Sequence, residues 1–141
     1  MRVRFAALGL VLLAAGCGGS SAQETASIPL TITVSGVAAS NHGFTDVRGA
    51  TSVNLDLHDD YFEPTMINGK RGQKIKVVLE NYGKRLHNFT LPSEGIDRDL
   101  APGKKVTAEV QIPQSGQVGF YCKYHKRLGM AGGLTVKRKT G

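Results

Sequence analysis

The sequence predicts an all-β fold built as an antiparallel sandwich or barrel, because apolar residues recur with a period of two in short runs and turn-forming residues separate those runs. No convincing helical stretch competes with this pattern, and 18 Gly point to turns rather than long helices. The 141 residues amount to one domain, long enough to bury a real core.

The runs can be taken in chain order. Ile28, Leu30, Ile32 and Val34 alternate with Pro29, Thr31, Thr33 and Ser35, as on a half-buried strand. The segment 36–51 is polar and Gly-rich without clear period, and reads as a long loop or an extra hairpin. Val53, Leu55 and Leu57 restart the alternation. Ile75, Val77 and Leu79 follow, then His87, Phe89 and Leu91, then Val106, Ala108, Val110 and Ile112. Val118, Phe120 and Cys122 come next, and Leu134 with Val136 close the series. Between them stand Asn68-Gly69, Asn81-Tyr82-Gly83, Pro102-Gly103 and Gln114-Ser115-Gly116, all turn signals.

The N-terminus has a different character. Arg2 and Arg4 precede an uncharged, mostly apolar run from Phe5 to Ala15, which ends at Gly16-Cys17. Such a run is too short to span a bilayer and reads as a secretory signal over residues 1–16. Ala14-Ala15-Gly16-Cys17 resembles the lipobox of bacterial lipoproteins, with Ala14 where leucine is usual, and this implies lipidation of Cys17. Residues 17–27 then form a lipidated, flexible tether, 28–52 a strand and polar extension, and 53–141 the main domain. The expected location is outside the cytoplasm, anchored to the outer face of the cytoplasmic membrane or within the periplasm and cell envelope.

The formal charge of +7 is spread along the chain, without a basic helix, an aromatic-rich RNA motif or zinc-finger spacing. Nucleic acid is therefore not an expected partner. With Cys17 lipidated, Cys122 is left without a disulfide partner, a liability in an oxidising compartment unless something occupies the thiol. Metal ligation would do so.

The chemistry concentrates in Cys122-Lys123-Tyr124-His125-Lys126-Arg127-Leu128-Gly129-Met130, where thiolate, imidazole and thioether follow one another between two strands. Upstream, the period of two places His87 on the same inward face as Phe89 and Leu91, and an inward histidine needs a partner. Two imidazoles, one thiolate and a weak thioether suit copper, because soft sulfur favours Cu(I) while imidazole serves both oxidation states. Zinc would gain little from the thioether. A geometry intermediate between those preferred by Cu(I) and Cu(II) leaves little to move on electron transfer, which points to a carrier.

The loop and the upstream His87-Asn88 resemble the plastocyanin and azurin family of cupredoxins. The resemblance runs from about Val53 to Lys137 and includes Tyr61-Phe62-Glu63-Pro64 and Gly72-Gln73-Lys74-Ile75. It implies a cupredoxin-like Greek-key β-sandwich of about seven to eight strands holding one copper ion that cycles between Cu(I) and Cu(II). It implies His87, Cys122 and His125 as equatorial ligands and Met130 as the axial one. Asn88 would tie the two ligand loops together from behind, with a backbone N–H directed at the Cys122 sulfur. Two departures stand out: Cys-Lys-Tyr-His lacks the proline often found there, and the region before Val53 has no recognised equivalent.

Single residues carry less weight than the set. A lone His87 is more often a satisfied core histidine, and a lone Met130 more often core filler, but four residue types coinciding on a β pattern are not explained that way. His42 could serve as an accessory metal ligand but reads more simply as a solvated loop residue, and His58-Asp59-Asp60 could bind a cation but reads more simply as a strand end making a turn. A thiol hydrolase using Cys122, with His125 or His87 as base, is disfavoured because no helix begins at Cys122 and Met130 would be idle. The copper oxidases and nitrite reductases that share the fold need further copper sites, and the chain has four His and no His-x-His. The binuclear copper domain of cytochrome oxidase needs a second cysteine in its loop. The chain is thus expected to be a monomeric electron-transfer protein and not an enzyme, with copper storage or delivery to a membrane cuproenzyme as the alternative. Lys123, Lys126 and Arg127 flank the loop, so the expected redox partner has an acidic docking rim.

Overall fold

In a computed structural model, residues 30–137 are described, and all the structural statements below concern them. Twelve strands form: β1 (Thr31–Val34), β2 (Val37–Ser40), β3 (Phe44–Asp46), β4 (Ser52–His58), β5 (Tyr61–Glu63), β6 (Met66–Asn68), β7 (Lys74–Asn81), β8 (His87–Leu91), β9 (Ile96–Leu100), β10 (Lys105–Gln111), β11 (Gln117–Tyr121) and β12 (Ala131–Thr135). Two single 3-10 turns, Pro92–Glu94 and Lys126–Leu128, are the helical elements among them, and no helix there is long and apolar enough to cross a membrane.

One sheet has four strands in the order β10-β7-β4-β5, and the other has six in the order β3-β6-β12-β11-β8-β9. Their inner faces make one core. Leu55 and Leu57 of β4, Phe62 of β5, Val77 and Leu79 of β7 and Val110 of β10 meet Ile67 of β6, Phe89 and Leu91 of β8, Phe120 of β11 and Leu134 of β12. Phe62 stands edge-on to both Phe89 (6.3 Å between ring centroids) and Phe120 (5.1 Å), so three rings from both sheets lock in the arrangement aromatic pairs prefer. The architecture is the expected β-sandwich, although its sheets are mixed rather than antiparallel, with β4 parallel to β7 and β6 parallel to β12. The period-two runs from Val53 onward supply β4, β7, β8, β10, β11 and β12. β7 shows why: Ile75, Val77, Leu79 and Asn81 are buried, while Lys74 and Lys76 are exposed and Val78 and Glu80 half-buried.

The strand number exceeds the expected seven to eight because the region before Val53 adds β1, β2 and β3, and because the short β5, β6 and β9 form where no period of two marks them. The segment 36–51, left open as loop or hairpin, contains β2 and β3. β1 and β2 form a hairpin of their own, and β3 joins the edge of the six-stranded sheet parallel to β6. Val34 and Ala39 of the hairpin pack with Met66 and Ala131 into a second, smaller core on the outer face of that sheet. This cover explains why β12 is buried at all five positions instead of alternating. Not every residue of the first predicted run follows its pattern. Leu30, placed on the buried side by period two, is 87% exposed, and Ile28 lies outside the described residues.

β12 runs so close to its neighbours that a side chain is excluded at Gly132. A Cβ there would collide with the Thr65 carbonyl oxygen and stand 2.6 Å from the Phe120 ring. Gly132→Ala is expected to lower the urea midpoint of the metal-free protein by an amount worth ~1–3 kcal/mol, the usual cost of overpacking a core. An unchanged midpoint would mean that this close approach is relaxed in solution.

Candidate metal centre

His87 opens β8, and Cys122 follows directly on β11, the neighbouring strand. From Cys122 the chain makes a compact loop that returns as β12. The loop closes on itself through backbone hydrogen bonds: His125 N–H donates to Cys122 O (3.2 Å), Leu128 N–H to His125 O (2.9 Å) and Cys122 N–H to Met130 O (3.0 Å). Gly129 takes the left-handed conformation (φ 93°) that ends the 3-10 turn and delivers Met130. From outside, Ser40 N–H of the β1–β2 hairpin donates to Gly129 O (2.9 Å), so the N-terminal extension also holds the loop.

The structure brings three of the four expected ligands to one point. His87 Nδ1 lies 3.1 Å from His125 Nδ1, and Cys122 Sγ lies 3.5 Å from the same nitrogen. One ligand atom from each residue falls within 4.8 Å of the others, the single such group among the described residues. His87 and Cys122 are fully buried and His125 is half-buried at the rim. Burial and the nearby positive charge of Arg85 hold the His125 imidazolium below its ordinary pKa, so the ring sits neutral with a lone pair to give. Met130 is fully buried in the same core cluster as Cys122. This is a soft, nearly dry donor set of two imidazoles and a thiol, with a thioether in the same loop, and it fits copper.

Asn88, also fully buried, ties the two ligand segments together. Its Oδ1 accepts the Lys123 N–H (3.2 Å), and its Nδ2 donates to Asp97 Oδ1 (2.7 Å) and Asp99 Oδ1 (2.8 Å) on β9. Lys123 Nζ bridges the same two carboxylates at 2.9 and 3.0 Å, and Tyr124 OH donates to Asp99 Oδ2. The sequence showed Asn88; it did not show Asp97, Asp99 or Tyr124, whose signal is the i, i+2 pair of acids on a strand that must face two consecutive polar residues of the ligand loop. The sequence favours a turn role for Asp59 over a place in the site. Asp59 does make the β4–β5 turn, and in addition its Oδ1 lies 2.8 Å from His87 Nε2. His42 is exposed, as expected of a loop histidine, with its ring stacked on Tyr61 at 3.6 Å. Cys17 lies outside the described residues.

The chain belongs to the cupredoxin-like domain family, whose model matches residues 6–136. It is 33% identical over 85 residues to the copper-resistant cuproprotein CopI of Pseudomonas aeruginosa, covering 58% of this chain and 44% of CopI. It is also 33% identical over 88 residues to the chloroplastic plastocyanin minor isoform of Arabidopsis thaliana, covering 54% of this chain and 50% of that protein. The chain thus spans about half the length of these curated relatives. Among solved structures, the fold matches reduced auracyanin from Roseiflexus castenholzii with a TM-score of 0.54 at 19% identity, over 63% of this chain and 98% of that one. The metal-binding domain of the Streptococcus pneumoniae Cu(I)-exporting P-type ATPase CopA matches with a TM-score of 0.57 at 12% identity, over 69% and 98%.

The Asp97–Lys123–Asp99 cluster has a pH signature. Lys123 first, with Asn88, holds the Asp97 carboxyl below its ordinary value of 3.8; Tyr124 first, with Lys123, does the same for Asp99. A depressed carboxylate pKa adds stability above the unfolded value, and this is lost as pH falls through the folded one. The metal-free protein is therefore expected to lose thermal stability below about pH 4. The double variant Asp97→Asn/Asp99→Asn should lose less over that window in a melting series; an identical loss would show that the pair contributes nothing.

Proposed function

We propose that this cupredoxin is a single-copper electron carrier outside the cytoplasm, with His87, Cys122, His125 and Met130 as ligands. The observation that carries the reading is the convergence of two Nδ1 atoms and one Sγ in a buried pocket whose walls are fixed by strands and by Asn88. When bound, the copper would supply a one-electron couple between Cu(I) and Cu(II). The protein's part is to hold three donors in place so that little moves between the two states, and to exclude water from Cys122. His125, half-buried at the rim, is the route by which an electron reaches the surface.

The same donors would serve copper storage or delivery, a reading favoured by the likeness to a copper-resistant cuproprotein. Exchangeable Cu(I) would mark delivery, and metal that stays in place through redox cycling marks a carrier. For docking, Lys123 is engaged by Asp97 and Asp99, whereas Lys126 and Arg127 make no ion pair with described residues. Lys126 leans over the Tyr121 ring at 4.3 Å. The acidic rim of a redox partner would therefore meet Lys126 and Arg127 rather than Lys123. No enzymatic activity is part of this reading.

Titration of the metal-free protein with Cu(II) is expected to produce an intense visible charge-transfer band and a higher melting temperature. Cys122→Ser should keep the fold and lose the colour, because a hard oxygen replaces the soft sulfur. Met130→Gln should retain copper and lower the reduction potential. A wild-type protein that stays colourless and gains no stability would overturn the copper assignment.

Lipid attachment at Cys17 is a separate part of the reading, supported by the lipobox-like Ala14-Ala15-Gly16-Cys17. The protein is expected to partition with membranes and Cys17→Ala to release it. A soluble wild type with an unmodified N-terminus beyond Cys17 would refute the anchor.

A further inference from the structure

His87 is engaged at both ring nitrogens. Nδ1 faces the other donors, with His125 Nδ1 at 3.1 Å, and Nε2 lies 2.8 Å from Asp59 Oδ1. A carboxylate can only accept, so Nε2 carries the proton and Nδ1 presents its lone pair to the site. The acceptor is an aspartate side chain 35% exposed and beside the Arg85 guanidinium, ionised at neutral pH as an ordinary carboxylate is.

Asp59 is in turn fixed from several sides. It sits at the β4–β5 turn, accepts the Lys84 N–H at 3.1 and 3.2 Å, and lies 3.7 Å from Arg85 Nε. Arg85 also pairs with Asp60. The loop that supplies Lys84 and Arg85 is held by Asn81, which ends the buried row of β7: its Nδ2 donates to Arg85 O (2.9 Å) and Leu100 O (2.8 Å), and its Oδ1 accepts the Gly83 N–H (2.8 Å). Gly83 passes directly over the Asp59–His87 pair. A Cβ there would collide with Asp59 Oδ1 and stand 2.6 Å from His87 Nε2. A turn that needed only two acidic residues would require none of this.

We infer that Asp59 is a positioning residue of the metal centre, which fixes His87 as the Nε2–H tautomer with Nδ1 turned toward Cys122 and His125, and whose charge biases the bound metal toward its more positive oxidation state. The second half rests on the copper reading; the first does not. Outer partners of this kind are worth about 10–100-fold in metal affinity. A negative charge next to a ligand stabilises Cu(II) more than Cu(I), so its loss should raise the reduction potential by about 59 mV for each tenfold loss of Cu(II) preference.

Two variants separate hydrogen bond from charge. Asp59→Asn keeps an acceptor oxygen and loses the charge; Asp59→Ala loses both. In 15N NMR of the metal-free protein, His87 is expected as the Nε2–H tautomer in wild type and Asp59→Asn, and as a mixture in Asp59→Ala. With copper bound, Asp59→Asn should raise the potential by about the equivalent of a tenfold change, and Asp59→Ala should also lose about 10–100-fold in Cu(II) affinity. Arg85→Gln, which disturbs the loop without removing the acceptor, should leave the tautomer intact and not raise the potential. A wild-type Nδ1–H tautomer, or one that survives in Asp59→Ala, would overturn the positioning role. An unchanged potential in Asp59→Asn would overturn the charge effect. If the tautomer result holds but the wild type binds no copper, the proposed function fails while the hold of Asp59 on His87 stands.

Discussion

The centre depends on keeping two chain segments, thirty-five positions apart, in one fixed relation around a pocket that excludes water. His87 and Cys122 stand on neighbouring strands of one sheet, so their Cα positions are set by β pairing before any side chain is considered. Backbone pairing alone does not hold a loop against a strand. That is the work of Asn88, which reaches from β8 to the Lys123 amide while β9 holds its other end through Asp97 and Asp99. A buried amide with every hydrogen-bonding atom satisfied is rigid, and leaving any partner out would strand a polar group without water.

The two histidines are held in different ways, and the difference has chemical consequences. His87 is fully enclosed and oriented by an anion, so its free nitrogen is fixed. His125 belongs to a loop secured by backbone hydrogen bonds at the protein surface, with burial and nearby positive charge keeping its ring neutral. One donor is thus a fixed wall and the other a partly exposed rim. A site arranged this way can meet a partner through one ligand without disturbing the rest.

Most of the main sandwich was legible in the sequence because a sheet with one buried face writes that face into every second residue, as Val53, Leu55 and Leu57 of β4 show. The ligand set was legible for a different reason: Cys122, His125 and Met130 share one short loop, and His87 sits in phase with Phe89 and Leu91. What escaped lies where a residue serves two purposes or where no period exists. Asp59 satisfies the rules for a turn, so nothing local reveals that its second oxygen-bearing face meets a histidine twenty-eight positions away. Asp97 and Asp99 look like ordinary exposed acids until β9 is placed beside β8. β2 and β3, of four and three residues, are too short to show a period.

The region before Val53 changes what the loop can be. In a plain sandwich the outer face of β11 and β12 would be open, and the loop between them would hang from two strand ends. Here the β1–β2 hairpin covers that face with its own small core, and Ser40 reaches the Gly129 carbonyl next to Met130. Thr65, fully buried, donates to Ser40 O and accepts the His42 N–H, so the end of the hairpin is pinned to the chain that leads into β6. The loop is therefore held from three directions: by β8 and β9 through Asn88, by its own closed turn, and by the hairpin above it. Each constraint lowers the freedom the loop would have to lose on closing around a metal, and favours an arrangement of donors set by the protein over one chosen by the ion.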